Sequence, residues 1–282
     1  MFQLCNSIKD LSKIDTKNYI FEIKIDGTRV MAYLKGGKIV KLINRRNFDI
    51  LDKFPELKSI KIPLKKDVAF DCELCILKPN SFKCDFSALL SREHNQNELR
   101  KSLLMREYPA TLMIFDVLVS NGLDTTKLKL IERKEILKSY YIYLNKNVQI
   151  IPYFFDLPLA LKVMEYNESE GLILKKIGSI YENRRSENWL KFKKRAELVM
   201  YANKYENNKD NSITLTDGFH RVKVNHNIDF ITAEIDKGHK ITAEIEGLEI
   251  TKNGHLRMSQ FKRIIWGVKY ETVKRNWKGN SG

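Results

Sequence analysis

Glu22-Ile23-Lys24-Ile25-Asp26-Gly27-Thr28-Arg29 is the stretch on which the reading of this chain turns. Polar and apolar residues alternate from Tyr19 to Ile25, which predicts a strand with the Lys24 and Asp26 side chains on one face. Gly27 then breaks the strand and Arg29 follows. A lysine amine is protonated near neutral pH, and to act as a nucleophile it must lose that proton. Desolvation or nearby cations promote the loss, and Arg29 is such a cation that can also hold phosphates. Read alone, the stretch is equally an ordinary strand end turning through Asp26-Gly27.

The flanking sequence predicts an α+β region. Strands are expected at Arg29 to Leu34 and Lys38 to Ile43, joined through Gly36-Gly37, a two-residue hairpin signal. Phe48 to Ile60 reads as helical and stops before Pro63. Val68 to Leu77 is a buried strand, and Ser81 to Glu107 gives one or two helices. Ala110 to Val119 is a strand, Leu128 to Leu144 a helix, and Gln149 to Phe155 a strand. Pro158 opens a helix to Asn167, and strands follow at Gly171 to Lys176 and Trp189 to Lys193. The sheet is expected to be largely antiparallel.

Beyond the basic stretch Lys191 to Arg195 the texture changes to short strand-like runs. Turns fall at Asp217-Gly218, Lys237-Gly238, Glu246-Gly247 and Asn253-Gly254. That pattern predicts a small all-β barrel, with the boundary near residue 197. One pentapeptide recurs, Ile231-Thr-Ala-Glu-Ile235 and Ile241-Thr-Ala-Glu-Ile245, and reads as two strands paired across the Asp236 to Lys240 turn.

Bulk properties bound the function. A chain of 282 residues with 43% hydrophobic content can bury a real core. No run of 18 or more apolar residues is present to span a membrane. Met1 to Lys13 lacks a secretory pattern, so the expected location is cytoplasmic. Cys72 and Cys75 form a C-x-x-C, but it sits in an apolar run with no second pair to complete four ligands, so both read as buried thiols. The net charge of +15 points to a polyanionic partner, although lysine-rich codon usage inflates it.

Five elements in order resemble the covalent nucleotidyltransferase superfamily. They are Lys24-x-Asp26-Gly27-x-Arg29, Phe70-Asp71-Cys72-Glu73-Leu74, Phe115-Asp116-Val117-Leu118, Glu170-Gly171-Leu172-Ile173-Leu174-Lys175 and Trp189-Leu190-Lys191-Phe192-Lys193. Within that group the chain is most similar to short ATP-dependent DNA ligases, on the context Arg185-Ser186-x-x-Trp189-Leu190-Lys191-x-Lys193. The resemblance implies an ATP-grasp-like adenylation domain over residues 1–197 and an OB-fold over 198–282.

It also implies roles. Lys24 would attack the α-phosphorus of ATP and carry AMP, with Asp26 and Glu170 assisting strand closure. Glu22 would read the adenine amino group beside Ile23, and Phe115 would stack on the base. Glu73 would meet the ribose and, with Glu170, hold Mg²⁺ or Mn²⁺. Lys191 and Lys193 would clamp the α-phosphate; Arg29, Arg45 and Arg185 would serve the nucleotide or the nick. The partner implied is nicked duplex DNA, bound without sequence preference by a monomeric, minimal enzyme with no membrane contact. The barrel's basic face and the Lys269 to Lys278 tail would add phosphate contacts.

Three departures stand out. Asn47 and Cys72 replace residues that are usually glycine, and Arg45 or Arg46 can take the role of the arginine before Asn47. The terminal Arg-x-Asp-Lys element of the family is missing, since Arg263-Ile264-Ile265-Trp266 stands in its place; Arg257, Lys262 and Arg263 are the candidate substitutes. An RNA ligase or a GTP-dependent capping enzyme shares the lysine motif, and a non-catalytic nucleic-acid-binding protein is the alternative from another class.

Overall fold

The computed structural model describes residues 2–79, 81–141, 145–194, 196–247, 249–250 and 254–265. They form two compact units, Met1–Lys193 and Lys194–Gly282. Each has its own hydrophobic core.

In the first unit the strands are β1 (Leu4–Ile8), β2 (Tyr19–Ile23), β3 (Thr28–Lys35), β4 (Lys38–Asn44), β5 (Val68–Cys75), β6 (Thr111–Ser120), β7 (Leu123–Asp124), β8 (Val148–Ile150), β9 (Tyr153–Phe154), β10 (Gly171–Lys176) and β11 (Arg185–Lys193). The helices are α1 (Pro55–Lys58), α2 (Phe86–His94), α3 (Glu98–Glu107), α4 (Leu130–Lys138) and α5 (Leu157–Tyr166). The strands build two sheets. One runs β1-β11-β10-β2-β9; the other runs β4-β3-β5-β6-β7, with β8 parallel to β6. All other pairs are antiparallel except β1 on β11. A short N-terminal strand therefore completes the first sheet, and sequence patterning did not reveal it.

The expected strand through Ile25 stops at Ile23. The reason is topological: β2 belongs to one sheet and β3 to the other, so Lys24 to Gly27 is the crossing between them. The Lys24 amide still donates to Gly171 O at 2.9 Å, but Ile25 to Gly27 leave the ladder. Gly27 permits the crossing, because a Cβ there would lie 2.3 Å from Leu74 O. The expected helix over 48–60 shrinks to one 3₁₀ turn at Leu51–Lys53 and the single turn of α1. Asp49 explains part of this, since its carboxylate accepts the amides of Leu42 and Leu51 and bends the chain back to β4. The helix expected to reach Leu144 ends at Lys138, and positions 142–144 lie outside the described residues.

The second unit contains β12 (Ala196–Ala202), β13 (Lys204–Asn207), β14 (Ile213–Thr216), β15 (Arg221–Val224), α6 (Ile228–Asp236), β16 (Ile241–Gly247), β17 (Glu249–Ile250), β18 (Leu256–Arg257) and β19 (Gln260–Ile264). Its sheets are β12-β16-β19, β13-β14-β15 and β17-β18. The unit is not all-β. The first Ile-Thr-Ala-Glu-Ile copy lies within α6, while the second lies in β16 and pairs with β12 and β19. The pentapeptide satisfies both periods. Positions one and five share a helix face, and positions one, three and five share a strand face. In α6, Ile231 is buried and Ile235 packs beside it; in β16, Ile241, Ala243 and Ile245 all point into the core. No helix among the described residues is long and apolar enough to cross a membrane.

Candidate active site

A cleft of about 640 Å³ opens in the first unit, inside the ~300–1,000 Å³ range of small-ligand sites. Its lining includes Glu22, Ile23, Lys24, Asp26, Arg29, Arg45, Arg46, Glu73, Phe115, Arg185, Lys191 and Lys193. Glu170 joins them through its two oxygens, which pair with Lys24 and Lys193. Residues up to 171 positions apart in sequence thus share one wall-to-wall site. Both Arg45 and Arg46 reach the cleft, so its lining does not distinguish them.

Lys24 sits at the sheet crossing, and Glu170 precedes β10, directly beside it. Gly171 makes that approach feasible, since a Cβ there would lie 2.0 Å from Phe192 O. Burial acts to lower the Lys24 pKa, but the charge and hydrogen bond of Glu170, with Glu73 and Asp26 behind it, outweigh burial and hold it above the ordinary value. The expectation that neighbouring cations depress it is therefore overturned. Arg29, the expected cation, is itself paired with Asp71. Glu170 moves the opposite way: burial raises its pKa, and Lys24 and Lys193 more than reverse this. Lys24 is thus an ammonium held by a carboxylate.

Arg29 is fixed from all sides. Its Nε and Nη2 donate to the two Asp71 oxygens at 3.0 and 2.7 Å, and Nη1 donates to Gln3 O at 2.6 Å. The Tyr181 hydroxyl donates to the same carboxylate at 2.6 Å. The guanidinium also lies over the rings of Phe2, Phe115 and Trp189. Asp71 and Tyr181 are partners of Arg29 to which sequence reasoning gave no role.

Glu73 lies on β5. Burial pushes its carboxyl up to about 7, against the pull of Lys24 and Arg29. Cys72 beside it is fully buried, so the thiol in the place of glycine fills core space. Asn47 takes a left-handed conformation, φ 64°, which accounts for the other departure: asparagine tolerates that region best after glycine.

The part of the cleft lined by Glu22, Phe115 and Lys175 carries a buried charge cluster. Glu22 is paired with Lys134 and, at 2.7 Å, with Lys175. The Lys175 ammonium lies 4.3 Å from the Phe115 ring centroid and 4.1 Å from that of Trp189. Burial lowers its pKa to about 8 despite Glu22. Behind it Arg133 and Asp116, both fully buried, form a bidentate pair with two 2.8 Å bonds. Lys175 belongs to the sequence motif that starts at Glu170, and its buried place beside Glu22 follows from the pairing of β10 with β2.

Among the described residues no three His, Cys, Asp or Glu side chains converge as a metal cage. Glu73 and Glu170 nonetheless both bear on Lys24. Two carboxylates in a cleft that also carries Lys191 and Lys193 suit Mg²⁺, which takes few protein ligands and completes its shell with water or ligand oxygens. The cations considered as substitutes for the terminal motif are engaged elsewhere. Lys262 pairs with Glu197 and Glu244 at 2.7 and 2.9 Å, and Arg263 with Glu244 at 2.5 Å. The Arg257 side chain, Trp266 and positions 269–278 lie outside the described residues.

A family model described as "ATP dependent DNA ligase domain" matches residues 1–193. The chain is 32% identical over 190 residues to the SPbeta prophage-derived DNA ligase-like protein LigB of Bacillus subtilis, covering 67% of this chain and 65% of that protein. It is 31% identical over 191 residues to a DNA ligase of Pyrobaculum neutrophilum, covering 64% of this chain but 32% of that protein. The match therefore spans less than two thirds of the first relative and about one third of the second. Among solved structures, the ligase domain from M. tuberculosis LigD aligns with a TM-score of 0.60 at 17% identity, over 96% of this chain and 97% of that one. A Lig E DNA ligase, described as binding DNA with a minimal scaffold, aligns with a TM-score of 0.64 at 18% identity over 94% and 98%. At these identities the likeness speaks for the fold alone.

Proposed function

We infer the function from one premise: this chain belongs to the ATP-dependent DNA ligase domain family. On that basis we propose an ATP-dependent ligase that seals 5′-phosphate/3′-hydroxyl nicks in duplex DNA. The observation that carries the reading is the convergence of Lys24, Glu73, Glu170, Lys191 and Lys193 at one cleft. In the proposed first step the Lys24 amine attacks the α-phosphorus of ATP. An N–P bond forms, the bond to the bridging oxygen breaks, and pyrophosphate leaves.

Such a displacement depends on in-line placement and charge neutralisation. Lys191 and Lys193, two apart on β11, supply cations from one strand face. Glu170 Oε2 holds the Lys24 ammonium in place. Before attack that ammonium must lose one proton. The same carboxylate oxygen, hydrogen-bonded to Nζ, is positioned to accept it and leave the neutral amine that forms the N–P bond. Glu73 and Glu170 would hold Mg²⁺ or Mn²⁺, whose charge would offset that of the phosphates. Phe115 offers a stacking face, while Glu22, beside Ile23 and held by Lys134 and Lys175, offers an acceptor to the adenine amino group. AMP then passes to the nick 5′-phosphate and the 3′-hydroxyl displaces it, with Asp26 and Glu170 assisting. Arg29, Arg45 and Arg185 face the nucleotide or the nick.

In this reading residues 1–197 adenylate and residues 198–282 form an OB-fold, for which two packed antiparallel sheets and a shared core give support. The enzyme works as a cytoplasmic monomer on any nicked sequence. The test is sealing of matched nicked duplexes with ATP and Mg²⁺. Ligation of the DNA nick is expected; sealing of RNA nicks alone, or with GTP alone, would overturn the assignment.

A further inference from the structure

The β3–β4 hairpin carries a row of like charges that folding alone does not favour. Lys35 stands directly opposite Lys38, and Lys38 is bridged on its other side to Lys61. One step along, Lys41 stands opposite Tyr33. All five side chains are exposed. Opposed residues of antiparallel strands share a face, so three lysines lie side by side across the strands, next to a half-exposed ring. Like charges in that arrangement repel. Some exposed lysines of this unit are paired, such as Lys58 with Asp52 and Lys138 with Glu135. Among the described residues others, such as Lys9 and Lys65, are not, but those do not stand opposite one another across a ladder. Among the described residues none of Lys35, Lys38, Lys41 and Lys61 has an ion-pair partner.

A second observation points the same way. The ladder pairs Tyr33 with Lys41 and Leu34 with Ile39, which leaves Val40 as an unpaired bulge residue. Without it, alternation from Lys38 would turn Lys41 inward. With it, Lys41 faces outward and Leu42 is buried. Bulges commonly re-aim a side chain in this manner.

We propose that this lysine row is a phosphate-backbone contact for one arm of duplex DNA whose nick lies at the cleft. The proposal rests on the ligase reading above. The other end of the hairpin carries it: Val30 pairs with Asn44, and Arg45 and Arg46 follow into the cleft. From Asn44 back to Lys38 the strand spans roughly 20 Å at ~3.3 Å per residue. At ~3.4 Å per base pair this matches about six base pairs of duplex. Tyr33 adds an edge against sugar or phosphate, and the contact carries no sequence information.

The test is equilibrium binding of the full chain to a nicked duplex with arms of about ten base pairs, as a function of salt. The Lys35→Gln/Lys38→Gln/Lys61→Gln variant should form the lysyl-adenylate like the parent. Its slope of log affinity against log salt should be shallower by roughly 2–3, since each lost phosphate contact removes about 0.9. Its thermal stability without DNA should match or exceed the parent's, because the repulsion is relieved. Should the triple variant fail to fold, Lys38→Gln alone should flatten the slope by about 1. Cutting one arm to about three base pairs should erase the difference between parent and variant, and cutting the other should not. Equal slopes on the long duplex, or a difference that survives shortening of both arms, would overturn the hairpin contact while leaving the ligase reading intact. A parent that forms no adenylate and seals no nick would overturn both.

Discussion

Burial and the charges around it set the behaviour of Glu73, whose carboxyl titrates near 7 instead of at the ordinary 4.5. The folded state then holds a proton that the unfolded chain has released, so this group's stabilising contribution is full below about 4.5 and is lost as pH rises through about 7. Comparing urea unfolding of the parent and Glu73→Gln, the parent should lose stability relative to the variant across that window; parallel pH curves would refute the assignment. Lys175 has the opposite sign. Its pKa of about 8 lies below the ordinary 10.5, so the folded state binds fewer protons there, and stability rises as pH climbs from about 8 to 10.5. Lys175→Met should remove that alkaline gain. It also leaves Glu22 with Lys134 alone, and ATP affinity measured by thermal-shift titration should fall about tenfold, or roughly 1.4 kcal/mol. Unchanged affinity would place Lys175 outside the nucleotide site. At this scale the sequence was informative where chemistry follows residue type and order, as with Lys24 and Glu170. It was silent on Tyr181 and Gln3, because their bond to each other spans 178 positions and follows from no local pattern.

Elements place these groups, and two glycines show how tightly. Alanine at Gly27 meets Leu74 O, and alanine at Gly171 meets Phe192 O, both backbone atoms that cannot rotate away. Each substitution should cost about 1–3 kcal/mol in chemical denaturation and reduce adenylation, since the displaced segments carry Lys24 and Glu170. The Arg133–Asp116 pair anchors α4 on β6. Asp116→Asn leaves Arg133 buried without a counter-charge, at a cost of about 3–5 kcal/mol. The double variant Asp116→Leu/Arg133→Met should recover much of this; if both variants are equally unstable, packing and not charge holds the helix. The strands over 28–44, 68–75, 111–120 and 171–176 were legible because alternation or unbroken apolar runs mark them. The α6 segment was not, because Ile-Thr-Ala-Glu-Ile satisfies two periods and its flanks decide. Asn227 and Gly238, both at positive φ, bracket the helical copy.

The whole molecule divides its work between two cores, and the family match ends where the first of them ends, at residue 193. Order of motifs, not hydrophobic pattern, made the cleft legible, since five segments far apart in sequence had to meet between two sheets. What the order did not convey is the electrostatics of the cleft: Lys24 is held as an ammonium by Glu170, with Lys193 on the other oxygen. The proposed adenylation therefore requires Lys24 to give up a proton, for which Glu170 is the hydrogen-bonded acceptor. The most direct measurement is the intact mass of the protein after incubation with ATP and Mg²⁺, followed by peptide mapping. The account predicts a gain of one AMP on Lys24, absent in Lys24→Ala and absent with GTP. No gain on the parent, or a gain that persists in Lys24→Ala, would contradict it.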